Sequence, residues 1–306
     1  MKDLVIIGGG PAGLAAGIYA MRSGLDAVLM ERGAPGGAVL NTEKIENYPG
    51  FPGGIDGPEL MSRMEKHARA LGLPMETNEV HEITRDGGIF RLRTRTGEVE
   101  TRTIILATGT GPRPLGVEGE TRLRGRGVSY CAICDGAFFR DQVVAVVGGG
   151  DAAVEEAQFL TKFAAKVYLI HRRDSLRAAK GIQKGALENE KIEPLWSSVV
   201  TEIRGGNSVE EVVVKNLKTE ETTTLKVDGI FVYVGVKPNS YIVEGLVELD
   251  ERGFIVTDNQ MRTSVPGIFA AGDVRTTPLR QVVTAVADGA VAAIYAERYL
   301  AYGNRS

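Results

Sequence analysis

Cysteine is nearly absent from this chain, with two in 306 residues, both inside one hexapeptide, Cys131-Ala132-Ile133-Cys134-Asp135-Gly136. So small a supply excludes a disulfide-stapled scaffold. Histidine is nearly as scarce. His67, His81 and His171 are scattered without ligand spacing, whereas a zinc site takes about four Cys, His or carboxylate ligands, so no metal site is expected. Charge of one sign is also lacking: a formal net charge of −3 gives no electrostatic reason to expect nucleic acid or an anionic membrane as partner. No apolar run approaches the roughly 20 residues of a membrane-spanning helix. The N-terminus enters a strand at once, Leu4-Val5-Ile6-Ile7, and offers no signal peptide. What remains is a globular protein with length for about two domains. Two closely spaced cysteines fit a reducing compartment, where disulfides are transient and catalytic, so the expected location is the cytoplasm.

The hexapeptide is then the first thing to explain. Thiols at i and i+3 can close a disulfide when their Cα atoms lie within roughly 4.4–6.8 Å. The C-x-x-C spacing also lowers thiol pKa, and exchange runs through the thiolate. A redox couple fits better than a staple. Half a zinc site, or two neighbouring buried cysteines, stay open on this stretch alone.

Glycine is placed with more system. Leu4–Ile7 predicts a strand, Gly8-Gly9-Gly10-Pro11-Ala12-Gly13 matches G-x-G-x-x-G, and Leu14 to Ala20 reads as a helix. In such a turn Gly8 makes the tight bend, Gly10 lets a pyrophosphate approach the backbone, and Gly13 lets the helix pack on the strand. Unpaired N–H groups at the helix start favour the phosphates. A second strand, Ala27–Met30, ends in Glu31, at the offset where an acid accepts ribose hydroxyls. The pattern recurs: strand Val143–Val147, turn Gly148-Gly149-Gly150-Asp151-Ala152-Ala153, helix Val154–Lys162. Its second strand, Lys166–Ile170, ends in His171-Arg172-Arg173, with Arg177 following. Guanidiniums there can grip a 2′-phosphate bidentately, which points to NADP(H) over NAD(H); the alternative is a solvated basic helix start.

Elsewhere, residues 33–58 form a long Gly/Pro/aromatic loop suited to wrapping a flat ring system. Leu60–Leu71 reads as an amphipathic helix. Strands are expected near Glu79–Ile83, Ile89–Thr94, Glu98–Arg102, Thr103–Ala107, Val199–Ile203, Val209–Asn216 and Ile230–Val234. Another, Gly267–Ala271, ends at Gly272-Asp273 and precedes an Ala/Val helix over Val282–Leu300. Breakers at Gly111–Pro114 and around Asn239–Gly245 mark two hinges.

Both fingerprints, the dithiol between them and Ala271-Gly272-Asp273 near the end together resemble the low-molecular-weight thioredoxin reductases, over essentially the whole chain. The resemblance implies an α/β fold of two Rossmann-like dinucleotide-binding domains of three-layer ββα type. An NADPH domain, residues 113–243, is inserted into an FAD domain split into 1–112 and 244–306. It implies FAD held by Gly8, Gly10, Gly13, Glu31, Asn47, Asp273, Arg280 and Gln281, and NADPH held by Gly148, Gly150, Ala153, Arg172, Arg173 and Arg177. Hydride passes from NADPH to FAD, then to the Cys131–Cys134 disulfide, and the dithiol exchanges with thioredoxin. The resemblance further implies that Cys134 faces the flavin, that Cys131 attacks the partner, that Asp135 carries the proton, and that the enzyme is a homodimer. One departure is Ala38, where the family often has Gln, which bears on one flavin contact. The rival readings are ferredoxin as electron donor, or another disulfide as partner.

Overall fold

Alternation along two strands builds the layers of each half of the molecule. The computed structural model describes residues 1–42 and 44–303; residue 43, within the expected ring-wrapping loop, and residues 304–306, the end of the expected second FAD segment, lie outside the described residues. The chain divides into two units, one made of 1–111 with 237–306 and the other of 112–236.

In the first unit, β1 (Lys2–Ile7) is buried on both faces. Leu4 and Ile6 point to one side, among Leu14, Ala16, Ala292 and Ala296. Val5 and Ile7 point to the other, among Val80, Phe90 and Leu92. A period of two thus feeds two cores, as a strand covered on both faces requires. Helices α1 (Pro11–Arg22) and α6 (Val282–Tyr302) form one outer layer. A meander of β4 (Val80–Asp86), β5 (Ile89–Thr94) and the first half of β6 (Gly97–Leu106) forms the other. The second half of β6 lies parallel to β1 and to β17 (Ile268–Ala270), and β2 (Ala27–Glu31) and β3 (Met75–Thr77) complete the parallel sheet.

The two strands expected over 98–107 are therefore one. The polar residues at the expected break do not stop it, because Thr101 and Thr103 donate to the carbonyls of Lys2 (3.2 Å) and Asp3 (2.7 Å) on the neighbouring strand. The loop over 33–58 is also more ordered than its composition suggests. It holds a 3-10 turn, Gly37–Asn41, and Ile45 and Ile55 pair across it and pack with Leu60 and Met61 of α2 (Gly57–Ala70).

The chain leaves and re-enters this unit through short strands β7 (Thr110–Pro112) and β16 (Val236–Pro238). The return comes at 236/237 and not at the expected 243/244. The physical reason is apolar burial: Ile242 and Val243 sit in the same cluster as Val5 and Phe90.

The second unit repeats the plan. The strand order β11 (Ile192–Leu195), β10 (Lys166–Ile170), β9 (Val143–Gly148), β15 (Gly229–Tyr233), β8 (Val128–Ser129) is parallel throughout. Val144 and Val146 face α4 (Asp151–Leu160) and α5 (Lys180–Leu187), while Ala145 and Val147 face the antiparallel sheet of β12 (Ser198–Arg204), β13 (Glu211–Asn216) and β14 (Thr222–Lys226). Both units are three-layer ββα folds. Among the described residues no helix is long and apolar enough to cross a membrane.

Candidate active site

The dithiol sits on α3 (Ala132–Asp135), a single turn following β8. Cys131 caps it, and the Cα atoms of Cys131 and Cys134 lie 5.3 Å apart with the disulfide closed. The Cys134 N–H donates to Cys131 Sγ at 3.2 Å. Two side chains that sequence reasoning missed fix this turn. Ser129 Oγ lies 2.7 Å from Asp135 Oδ2 and accepts the Cys131 N–H at 3.0 Å. The Tyr233 hydroxyl accepts the Ala132 N–H at 2.8 Å. Burial first, and then the charge of Glu156, pushes that phenol above its ordinary range, so it stays neutral.

Behind the turn, the buried Glu120 carboxylate accepts the Leu115 and Gly116 N–H groups (2.8 and 2.7 Å) and the Tyr130 hydroxyl (2.7 Å). The only advance signal for any of these was position: Ser129 and Tyr130 directly precede Cys131, while Tyr233 and Glu120 are distant in sequence.

Tyr130 is pushed up to about 12, by burial first and then by Glu120's hydrogen bond and charge. A raised folded value means the contribution to stability is present in full below the unfolded value of about 10. It is lost as pH rises through about 12. Tyr130→Phe is expected to lessen the fall in stability across that alkaline window, measured by urea unfolding at a series of pH values.

The second fingerprint lies in the same unit. A Cβ on Gly148 would stand 2.5 Å from the Tyr233 carbonyl oxygen and 2.6 Å from the Ala153 Cβ, whereas a Cβ on Gly150 would meet nothing within 4 Å. The turn is thus tight at its first glycine and open at its third. The segment after β10 is tied to it: the Arg177 N–H donates to the Gly149 carbonyl (2.7 Å), and the Ala179 N–H to Asp151 (2.7 Å). Arg172, Arg173 and Arg177 are exposed beside the turn, and the carboxylate of that segment, Asp174, pairs with Lys218 at 3.0 Å. His171 packs under Gly149. Burial first, then Arg177, holds its imidazole below the usual range, and Nε2 is buried without a partner.

In the first unit, a Cβ on Gly8 would stand 2.3 Å from the Ala107 carbonyl oxygen, and one on Gly13 would stand 1.9 Å from the Gly8 carbonyl oxygen. Both positions admit only glycine. The Glu31 carboxylate accepts the Gly9 and Gly33 N–H groups at 2.8 and 2.9 Å, which leaves lone pairs on both oxygens. Asn47 Nδ2 donates to Gln281 Oε1 at 3.0 Å, although 234 positions separate them. Gln281 caps α6. Arg280 lies over the Phe254 ring at 4.1 Å, with its Nε buried and unpartnered.

Burial pushes Asp273 up, against the pull of Arg280. Two further missed residues hold its turn. Asp288, on α6, accepts the Gly272 N–H (3.1 Å) and pairs with Arg275 (3.2 Å), which also donates to Thr257 at 2.7 Å. Ala38 stands exposed in the 3-10 turn. Both glycine turns, with an acid behind one and exposed guanidiniums beside the other, suit anionic dinucleotides.

Residues 2–289 match the model of the pyridine nucleotide-disulphide oxidoreductases. The chain is 47% identical over 304 residues to a thioredoxin reductase of Peptoclostridium acidaminophilum, covering 97% of this chain and 96% of that one. It is 46% identical over 300 residues to a thioredoxin reductase of Bacillus subtilis, covering 97% and 94%. The chain belongs to the low-molecular-weight thioredoxin reductase family.

The fold agrees. A crystal structure of Lactococcus lactis thioredoxin reductase, in the FR conformation, superposes with a TM-score of 0.96 at 48% identity, covering 98% of this chain and 99% of that one. Membership makes the chain an oxidoreductase that works with a flavin and a pyridine nucleotide, and its one disulfide fits a redox-active centre.

Proposed function

We propose that the chain is an NADPH-dependent thioredoxin-disulfide reductase, with FAD in the first unit and NADPH in the second. The observation that carries this reading is the closed Cys131–Cys134 pair, held by Ser129, Tyr233 and Asp135 in the same unit as an arginine-flanked glycine turn. Gly8, Gly10, Gly13, Glu31, Asn47, Asp273, Arg280 and Gln281 would hold FAD. Gly148, Gly150, Ala153, Arg172, Arg173 and Arg177 would hold NADPH. When bound, these cofactors supply the two electrons that open the disulfide.

The remaining chemistry belongs to the chain. The Cys134 N–H, 3.2 Å from Cys131 Sγ, favours a thiolate on Cys131 once the bond is open, because a charged acceptor strengthens the hydrogen bond. That supports Cys131 as the attacking sulfur and leaves Cys134 as the one reached from the flavin. Asp135, on the same turn, is the proton carrier. Phe138, 78% exposed just beyond it, offers an incoming protein an apolar contact. Thioredoxin as that protein rests on relatives at 46–48% identity that are named thioredoxin reductase, which do not favour ferredoxin as donor or another disulfide as partner. The reading includes a homodimer in the cytoplasm, as the resemblance implies.

Anaerobic addition of NADPH to the oxidised holoenzyme is expected to release two titratable thiols, mapped by alkylation to Cys131 and Cys134. No thiols with NADPH, or thiols only with reduced ferredoxin, would overturn the reading. Gly13→Ala tests the first unit. Its Cβ cannot stand 1.9 Å from a carbonyl oxygen, and relief of such overpacking costs about 1–3 kcal/mol. The variant is expected to purify with little flavin, read from visible absorbance per chain.

A further inference from the structure

We propose that Ser129 is a positioning residue that lets Asp135 take up and release a proton with a hydrogen bond kept in both states. This rests on Asp135 being the proton carrier of the dithiol. Ser129 Oγ has three neighbours: Asp135 Oδ2 at 2.7 Å, the Cys131 N–H at 3.0 Å and the Cys131 carbonyl oxygen at 3.3 Å. A hydroxyl has one proton to donate and two lone pairs with which to accept. With Asp135 ionised, the hydroxyl proton goes to Oδ2 and a lone pair takes the Cys131 N–H. With Asp135 protonated, the acid donates to Oγ, the hydroxyl proton turns to the Cys131 carbonyl, and the N–H bond is kept. Both arrangements use atoms already in place, and Ser129 is 5% exposed, so water does not compete freely for the site.

Exchange with a partner disulfide visits both states. The Cys131 thiolate attacks one partner sulfur, an S–S bond forms to Cys131 and the partner's own S–S bond breaks. The departing partner thiolate takes the Asp135 proton. The Cys134 thiol then gives its proton to the Asp135 carboxylate and attacks the Cys131 sulfur, closing the Cys131–Cys134 bond. The second partner thiolate leaves and is protonated by water. Two electrons pass from the dithiol to the partner, and Asp135 ends protonated as it began, with the proton that came from Cys134.

Among the described residues, titratable groups that bear on this turn include its own two cysteines and Tyr233 from β15, which feels the charges of both Asp135 and Glu156 of α4. The following turn, Gly136–Phe139, contributes none.

The test is the rate at which NADPH-reduced holoenzyme is oxidised by the small disulfide 5,5′-dithiobis(2-nitrobenzoate) across a pH series. Losing a donor to a carboxylate costs more than losing an acceptor for the neutral acid. Ser129→Ala is therefore expected to slow oxidation about tenfold at the optimum, because the carboxyl is no longer held in place, and to move the alkaline limb of the profile, where Asp135 can no longer supply a proton, up by roughly half to one pH unit. Ser129→Thr, which keeps the hydroxyl, restores the wild-type limb. An unchanged profile in Ser129→Ala, or a loss equal at every pH, would overturn the proposal. Asp135→Asn separates the two levels: wild-type rates in that variant sink Asp135 as the carrier, whereas a slow Asp135→Asn beside a normal Ser129→Ala sinks Ser129 alone.

Discussion

Cys134→Ser holoenzyme is expected to accept electrons from NADPH and to pass none to thioredoxin. The two halves of that result come from different parts of the molecule. The nucleotide turn at Gly148–Ala153 and the first unit do not depend on the Cys134 sulfur, so reduction of the flavin, followed by its absorbance, should keep a rate within about twofold of wild type. The dithiol depends on it wholly. The Cys131–Cys134 bond is the one disulfide of the chain, and a serine hydroxyl can neither form it nor resolve a mixed disulfide at Cys131. Turnover should fall to background, and a Cys131–thioredoxin adduct should persist on non-reducing gels. Disulfide reduction at a measurable fraction of wild type would mean that electrons leave by another route.

The second large effect is expected on cofactor choice. Arg172→Ala with Arg173→Ala should raise the KM for NADPH roughly 10- to 100-fold while changing that for NADH little. Charge-assisted hydrogen bonds contribute about 1.5–3 kcal/mol each, less where solvent screens them. Both guanidiniums are exposed, and the neighbouring Asp174 pairs with Lys218, so their removal should leave the fold intact. The Arg177 N–H and Asp151 continue to hold the segment against the turn. An equal loss with both nucleotides would assign these arginines to folding instead.

The glycine turns were legible because their requirement is local. At Gly8 and Gly13 a Cβ would strike a carbonyl within 2.3 Å, and no distant residue can relieve that. The layers were legible from apolar strands with charged or glycine-rich ends. The supporting residues were not. Ser129, Tyr233 and Glu120 act through hydrogen bonds that only the fold brings together, and Asp288 lies in an Ala/Val helix that reads as plain packing. Glu31 was found by its offset, yet nothing in the sequence indicated that its oxygens accept the Gly9 and Gly33 N–H groups. The boundary near 243 was missed for a related reason: Asn239, Ser240 and Gly245 look like a hinge, whereas Ile242 and Val243 between them anchor that stretch in the first unit's core.

Insulin reduction driven by NADPH, run with and without added thioredoxin, is the most direct measurement. NADPH consumption and insulin precipitation are expected only when the holoenzyme and thioredoxin are both present. Equal reduction without thioredoxin, or NADPH oxidation that leaves thioredoxin oxidised, would contradict the account.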